Sequence, residues 1–293
     1  MKLTTFTHDD STRIGVLGPD GIVDLSAAAP SLPGAMIAFL EAGPEALERA
    51  AEAVESAHSA VVLDPDDVTT EAPILRPPKI LAVGLNYADH VAETGRPKPE
   101  IPMIFNKQST SVCRPGGPIH LPRASDKVDW EGELAFVVGK RCRHVPRDKA
   151  AGVIAGFTIV HDVSVRDWQH RSPTFTMGKS FDTHCPMGPV IVTADEIGDP
   201  HSLDIRTWVN GELRQSSNTR ELIFDCFTLV EHLSTAFTLE PGDVISTGTP
   251  SGVGAAMDPP VWLKAGDTVR IAVDKIGELE NPVIEEPADT ILY

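Results

Sequence analysis

The sequence predicts a mixed α/β, β-rich chain in which a small N-terminal α+β domain (residues 1–70) precedes a larger β-rich domain (residues 71–293). Three observations predict it. Short apolar runs bounded by Gly and Pro recur through most of the chain, long amphipathic helices are few, and a Pro-rich passage, Glu71–Pro78, separates two stretches of different character.

In the N-terminal stretch, Lys2–Thr7 and Arg13–Leu17 read as strands, and Pro19-Asp20-Gly21 as a turn into Ile22–Leu25. A helix is predicted from Pro44 to Ala57. Pro suits a first helical position, and Leu47, Ala50, Ala51, Val54 and Ala57 recur at helical spacing. Beyond the connector, Ile80–Val83, Glu133–Val138, Ala155–His161, Pro189–Thr193, Leu203–Val209, Asp243–Ser246 and Thr268–Val273 are strand candidates. Leu222–Leu233 is the best helix of this half.

The chain has 293 residues, with 25 Lys plus Arg against 42 Asp plus Glu, a formal net charge of −17. That balance argues against a nucleic-acid partner, which requires a basic face. Aromatic residues are only 5%, so a stacking platform for single strands is not expected either. No run reaches the roughly 18 apolar residues of a membrane span, and the first ten residues lack the apolar run of a signal peptide. The four cysteines contain no Cys-x-x-Cys pair, so a reduced, cytoplasmic protein is the expectation.

The residues that carry chemistry begin with Trp130-Glu131-Gly132-Glu133. Strand side chains alternate faces, so Glu131 and Glu133 project the same way, roughly 7 Å apart along the strand. Two such carboxylates repel unless something positive lies between them, and a hard divalent cation with its preference for oxygen ligands answers that need. Taken alone, the pair also describes an exposed edge strand with solvated acids. The apolar run Gly156–His161 ends in Asp162, placed to complete a three-carboxylate site or to cap the following turn, while Asp167 reads as an ion-pair partner of Arg166.

Asn86–Gly95 reads as a short helix with Asn86 as N-cap. His90 and Glu93 fall on one face, three residues apart, as in a surface pair or in a carboxylate-oriented general base. Lys179, among small and apolar residues, is either a surface lysine or an ammonium that neutralises an oxyanion. Gly248–Gly254 is a Gly-rich loop whose backbone N–H groups suit a carboxylate, or a plain turn. It lacks the Gly-Lys-Ser/Thr ending of a phosphate loop.

In order and spacing these segments resemble the fumarylacetoacetate hydrolase family over about Lys79–Ile284. The matching segments are Gly84-Leu85-Asn86-Tyr87 with His90 and Glu93, Glu131-x-Glu133, Asp162 with Arg166-Asp167-Trp168-Gln169, Gly178–Asp182, and Thr247-Gly248-Thr249-Pro250. The resemblance implies a mixed β-sandwich roll, a homodimer, and Mg²⁺ or Mn²⁺ held by Glu131, Glu133 and Asp162. It implies a mobile lid bearing His90 and Glu93, and an active-site lysine at Lys179 with Gln169 near the substrate. Thr249, Gly248, Asn86, Lys107 and Arg166 are the implied substrate-binding or supporting positions.

The implied activity is hydrolysis of a C–C bond in a 2,4-dioxo acid to pyruvate and a carboxylic acid, with His90 activating water. Oxaloacetate decarboxylation, or isomerisation or decarboxylation of a 2-hydroxy-dienedioate, is the alternative within the family. A non-catalytic binding protein is the reading from a different class.

Overall fold

The computed structural model describes residues 1–288. Its backbone is a large sheet of twelve strands that crosses the whole molecule, with a five-stranded sheet against one face. Along the main path the large sheet runs Val62–Leu63, Gly21–Asp24, Ser11–Gly18, Lys2–His8, Cys185–Thr193, Ile154–His161, Gly132–Val138, Val244–Ser246, Ile80–Gly84 and Met103–Lys107. The smaller sheet runs Glu212–Asn218, Asp204–Val209, Thr268–Val273, Gly277–Glu285 and Ile119–Leu121. This is the β-rich sandwich the sequence leads one to expect.

Strand alternation divides the core in two. Leu134, Phe136 and Val138 face the five-stranded sheet, packing with Ile205, Ile271 and Leu279 and with Leu229 and Leu233 of helix Cys226–Ala236. Ala135, Val137 and Val160 face the other way, against Phe39, Leu40 and Ala50 of the N-terminal helices. The composition change near residue 70 does not interrupt the sheet: Leu3 pairs with Ile191, so residues 1–70 share a sheet and a core with the rest.

Several elements differ from the sequence expectation. Helix Pro44–Glu55 buries Ala50 of the expected stripe together with Ala46 and Ala53, while Leu47 and Val54 pack only partly buried against the core, because the small side chains permit the closest approach. The helix expected at Leu222 begins at Cys226, where the Asp225 carboxylate accepts from the Thr228 N–H at 2.7 Å. The strand expected from Pro189 starts at Cys185, its first half disguised by Pro186 and Gly188. Strands Met103–Lys107, Glu212–Asn218 and Gly277–Glu285 were not expected, the first offering only a three-residue apolar run and the other two being short of apolar residues or interrupted by charge. Among the described residues no helix is long and apolar enough to cross a membrane.

Candidate active site

Register assembles the acidic cluster. Strands Gly132–Val138 and Ile154–His161 are antiparallel, with Gly132 opposite His161 and Glu133 opposite Val160. The Asp162 N–H donates to the Glu131 carbonyl at 2.9 Å, carrying the pairing one step beyond the strands. Paired residues share a face, so Glu131, Glu133 and Asp162 converge. Their carboxylate oxygens lie within 4.8 Å of one another, and all three residues are buried. The edge-strand and turn-cap alternatives therefore do not describe them.

Three cations neutralise most of this charge. Lys179 Nζ lies 2.7 Å from both Glu131 Oε2 and Asp162 Oδ2. Lys107 Nζ is 2.8 Å from Asp162 Oδ1, and Arg166 Nη1 is 2.6 Å from Glu131 Oε1. Arg166 also pairs with Asp129 at 2.7 Å, not with Asp167 as the sequence suggested; Asp167 instead accepts from Ser125 and faces Arg171. Four buried carboxylates thus meet three cations.

Glu133 is the one left over. It accepts from Ser246 Oγ at 2.5 Å and from the Gly248 N–H at 2.8 Å, both neutral donors. Burial, with the charges of Asp162 and Glu131 added, holds its carboxyl well above the usual carboxylate range. Burial pushes Glu131 the same way, but Lys179 and Arg166 outweigh it and hold that carboxyl well below the usual range. Three converging carboxyl groups, one of them with no cation of its own and ready to ionise against an arriving one, are a donor set that fits a hard divalent cation.

Across the cavity, helix Ala88–Thr94 presents His90, whose Nδ1 lies 2.9 Å from Glu93 Oε2. Glu93 Oε1 accepts from the Gly252 N–H at 2.8 Å. A carboxylate at Nδ1 keeps the proton there and leaves Nε2 as the basic nitrogen. Asn86 is not the helix cap, a position Tyr87 occupies without a side-chain bond. Its amide donates to the Thr247 and Phe224 carbonyls at 2.7 and 3.0 Å and accepts from the Phe224 N–H at 2.8 Å.

The Gly-rich loop does hold carboxylates, and they are the protein's own. Gly248 N–H serves Glu133, Gly252 N–H serves Glu93, and the Gly254 and Ala255 N–H groups serve Asp129. Gly252 adopts φ 102°, and a Cβ there would lie 1.9 Å from the Arg214 carbonyl, so the loop geometry requires glycine. Gly178 is equally constrained: a Cβ would lie 2.2 Å from Gln169 N, and this approach sets Lys179 beside Gln169.

These residues surround a cavity of about 390 Å³. His90, Glu93, Glu131, Glu133, Arg166, Gln169, Lys179 and Thr249 line it, while Asp162, fully buried and paired with Lys107 and Lys179, does not. Asn86, Lys107 and Gly248 stand behind the wall, bonded to protein groups, so their positions offer support rather than substrate contact. Thr249 Oγ1 is itself engaged, donating to the Gly132 carbonyl at 3.0 Å and accepting from Gln215 at 2.8 Å. No residue of the N-terminal 70 lines the cavity.

Sequence reasoning missed Asp129, Gln215, Arg96, Phe105 and His170, while Phe175, which stands with them on the aromatic wall, lies in the Arg171–Thr176 segment expected to recognise substrate. Asp129 stands two residues before Glu131, where a search for acid pairs would have found it. Nothing local marks Gln215, which fastens the loop only through its contact with Thr249 and Pro250.

Residues 79–284 match the family model described as fumarylacetoacetate (FAA) hydrolase C-terminal. The chain is 46% identical over 290 residues to the mitochondrial oxaloacetate tautomerase fahd2 of Xenopus laevis, covering 97% of this chain and 90% of that one. Maleylpyruvate hydrolase from Sphingobium sp. SYK-6, solved with manganese(II) and pyruvate, superposes with a TM-score of 0.81 at 33% identity, over 98% of this chain and 100% of that one. A 5-carboxymethyl-2-hydroxymuconate delta-isomerase from Mycobacterium smegmatis gives 0.79 at 38% identity, over the same shares. With the acidic cluster, the dyad and the sandwich in place, the chain belongs to the fumarylacetoacetate hydrolase family of enzymes.

Proposed function

We propose that this protein is a divalent-metal-dependent enzyme that interconverts the keto and enol forms of a 2-oxo acid of the oxaloacetate type. One observation carries the reading: a single cavity sets a carboxylate-oriented imidazole, His90, against a cluster of carboxyl groups that has one fewer cation than it has acids. The 46% identity to an oxaloacetate tautomerase supports the choice of reaction.

Glu131, Glu133 and Asp162 would hold Mg²⁺ or Mn²⁺. Bound there, the cation supplies Lewis acidity toward the carboxylate and 2-oxo group of the substrate. His90 Nε2 takes a proton from C3. The C–H electron pair becomes the C2–C3 double bond, and the carbonyl π pair moves onto oxygen. Return of the proton to that oxygen gives the enol. Glu93 holds the Nδ1 proton throughout, and Lys179 and Gln169 stand beside the acidic cluster as donors to developing negative charge.

Hydrolysis of a 2,4-dioxo acid is the second reading. The likeness to maleylpyruvate hydrolase favours it, and the same imidazole would then take its proton from water. NMR in D₂O with Mg²⁺, against an EDTA control, separates the two. Metal-dependent deuterium exchange at C3 of oxaloacetate, without loss of carbon, supports tautomerisation. Release of pyruvate and a second acid from an acylpyruvate, with no C3 exchange, sinks it in favour of hydrolysis. Metal-dependent formation of pyruvate and CO₂ from oxaloacetate would move the assignment to decarboxylation.

A further inference from the structure

Three lysine or arginine side chains line the cavity, and two of them, Lys179 and Arg166, are held in ion pairs with the acidic cluster. The third, Arg96, makes no ion pair or hydrogen bond among the described residues. It follows directly on the helix that carries His90 and Glu93, after Gly95 ends that helix at φ 65°. Pro97 restricts Arg96 to extended backbone, which limits the conformations its side chain starts from. Arg96 lines the same cavity as His170 and Phe175 of the aromatic wall. Arg96 is exposed, and in a chain of net charge −17 a guanidinium left without an acid at the mouth of an acidic cavity is open to an incoming anion.

We infer that Arg96 binds the distal carboxylate of the substrate and selects dicarboxylic over monocarboxylic 2-oxo acids. The inference rests on the enolisation reading above and adds the substrate class. The carboxylate and 2-oxo group would occupy the end near Glu131 and Glu133, the reacting C3 would face His90, and the second carboxylate would reach Arg96. A planar guanidinium offers a carboxylate two parallel N–H donors, a geometry an ammonium does not reproduce.

The test compares wild-type, Arg96→Met and Arg96→Lys proteins with Mg²⁺ on two substrates, oxaloacetate and 2-oxobutyrate, each followed by C3 deuterium exchange. Loss of a charge-assisted contact predicts a KM for oxaloacetate about ten- to a hundredfold higher in Arg96→Met, with kcat within about threefold. Exchange of 2-oxobutyrate should stay within about twofold, and Arg96→Lys should recover part of the oxaloacetate KM. An unchanged oxaloacetate KM, or equal losses on both substrates, overturns the inference and leaves the enolisation reading standing. So does a wild-type protein that handles the two substrates equally well. Wild-type protein that exchanges neither overturns the enolisation reading and this inference with it.

Discussion

At the floor of the cavity and just beneath it, Glu131, Glu133 and Asp162 hang from two adjacent strands in the middle of the large sheet, with sheet on both sides and every acid but Glu133 paired with a cation. At its rim, His90 and Glu93 ride on a seven-residue helix tied down by side chains and loop amides: Asn86 to Thr247 and Phe224, Asp89 to Ser217 at 2.6 Å, and Glu93 to Gly252. The floor fixes charge on buried side chains. The rim fixes a proton donor and acceptor on an element whose position depends on a few hydrogen bonds. Strong fields belong on rigid backbone, because a buried charge that loses its partner costs several kcal/mol. A proton-transfer group must meet arriving substrate, and a short helix at the surface allows that.

The two regions should therefore fail differently. The largest effect is expected at the floor. Lys179→Met strips the cation from Glu131 and Asp162, and turnover should fall about 10³-fold, with about 3 kcal/mol or more lost in stability. Melting curves with and without Mg²⁺ sharpen the point. Added metal should recover part of the stability of the variant, and a variant indifferent to Mg²⁺ would mean that the carboxylates hold no cation.

At the rim, His90→Gln should lower turnover about 10²- to 10³-fold while its melting temperature stays within a few degrees of wild type, since the helix contributes little to the core. Glu93→Gln, which keeps a hydrogen bond to Nδ1 but removes the charge, should cost about tenfold. If His90→Gln unfolds the protein as readily as Lys179→Met, the contrast between floor and rim is lost.

Acid probes the region behind the floor. Burial, aided by the Lys107 charge, lowers His161 and His184 to about 3; His184 Nε2 donates to the His120 carbonyl at 2.8 Å. Both folded-state values lie below the ordinary histidine value, so the unfolded chain takes up protons first as pH falls below about 6.5. Stability is full above that pH and declines toward pH 3, at about 1.4 kcal/mol per pH unit for each histidine. Denaturant titrations of His184→Gln should show about half the wild-type slope across this window, and an equal slope would exclude His184 as a contributor.

The smallest effect is expected far from both regions. Asp225→Ala removes the cap of helix Cys226–Ala236 and the Arg147 ion pair, and should cost about 1 kcal/mol in chemical denaturation with turnover unchanged. A loss of activity there would show that the cavity is coupled to this helix.

Much of this site was legible in the sequence because its chemistry is local. Glu131-x-Glu133 and His90-x-x-Glu93 use the periods of a strand and a helix, and those periods are fixed by backbone geometry alone. Strand Thr268–Val273 was legible for the same reason, its alternating Val269, Ile271 and Val273 being buried as one face. Where burial depended on a distant partner, the reading failed. Asp167 stood next to Arg166 in the chain, yet Asp129 won that arginine, because strand pairing of Val128 with Val165 and of Asp129 with Ser164 brings the two segments together.

By itself the sequence determined the residue types of the site, the face each occupies on its own element, the β-rich class and the family. Tertiary structure alone decided which charges meet. Register placed Asp162 opposite Glu131, loop amides chose Glu133, Glu93 and Asp129, and packing sent Asn86 and Lys107 behind the wall while leaving Arg96 at the mouth. The physical reason is that a side chain's direction is set by a few local dihedrals, whereas its charge partner is set by long-range pairing that no short stretch of sequence encodes.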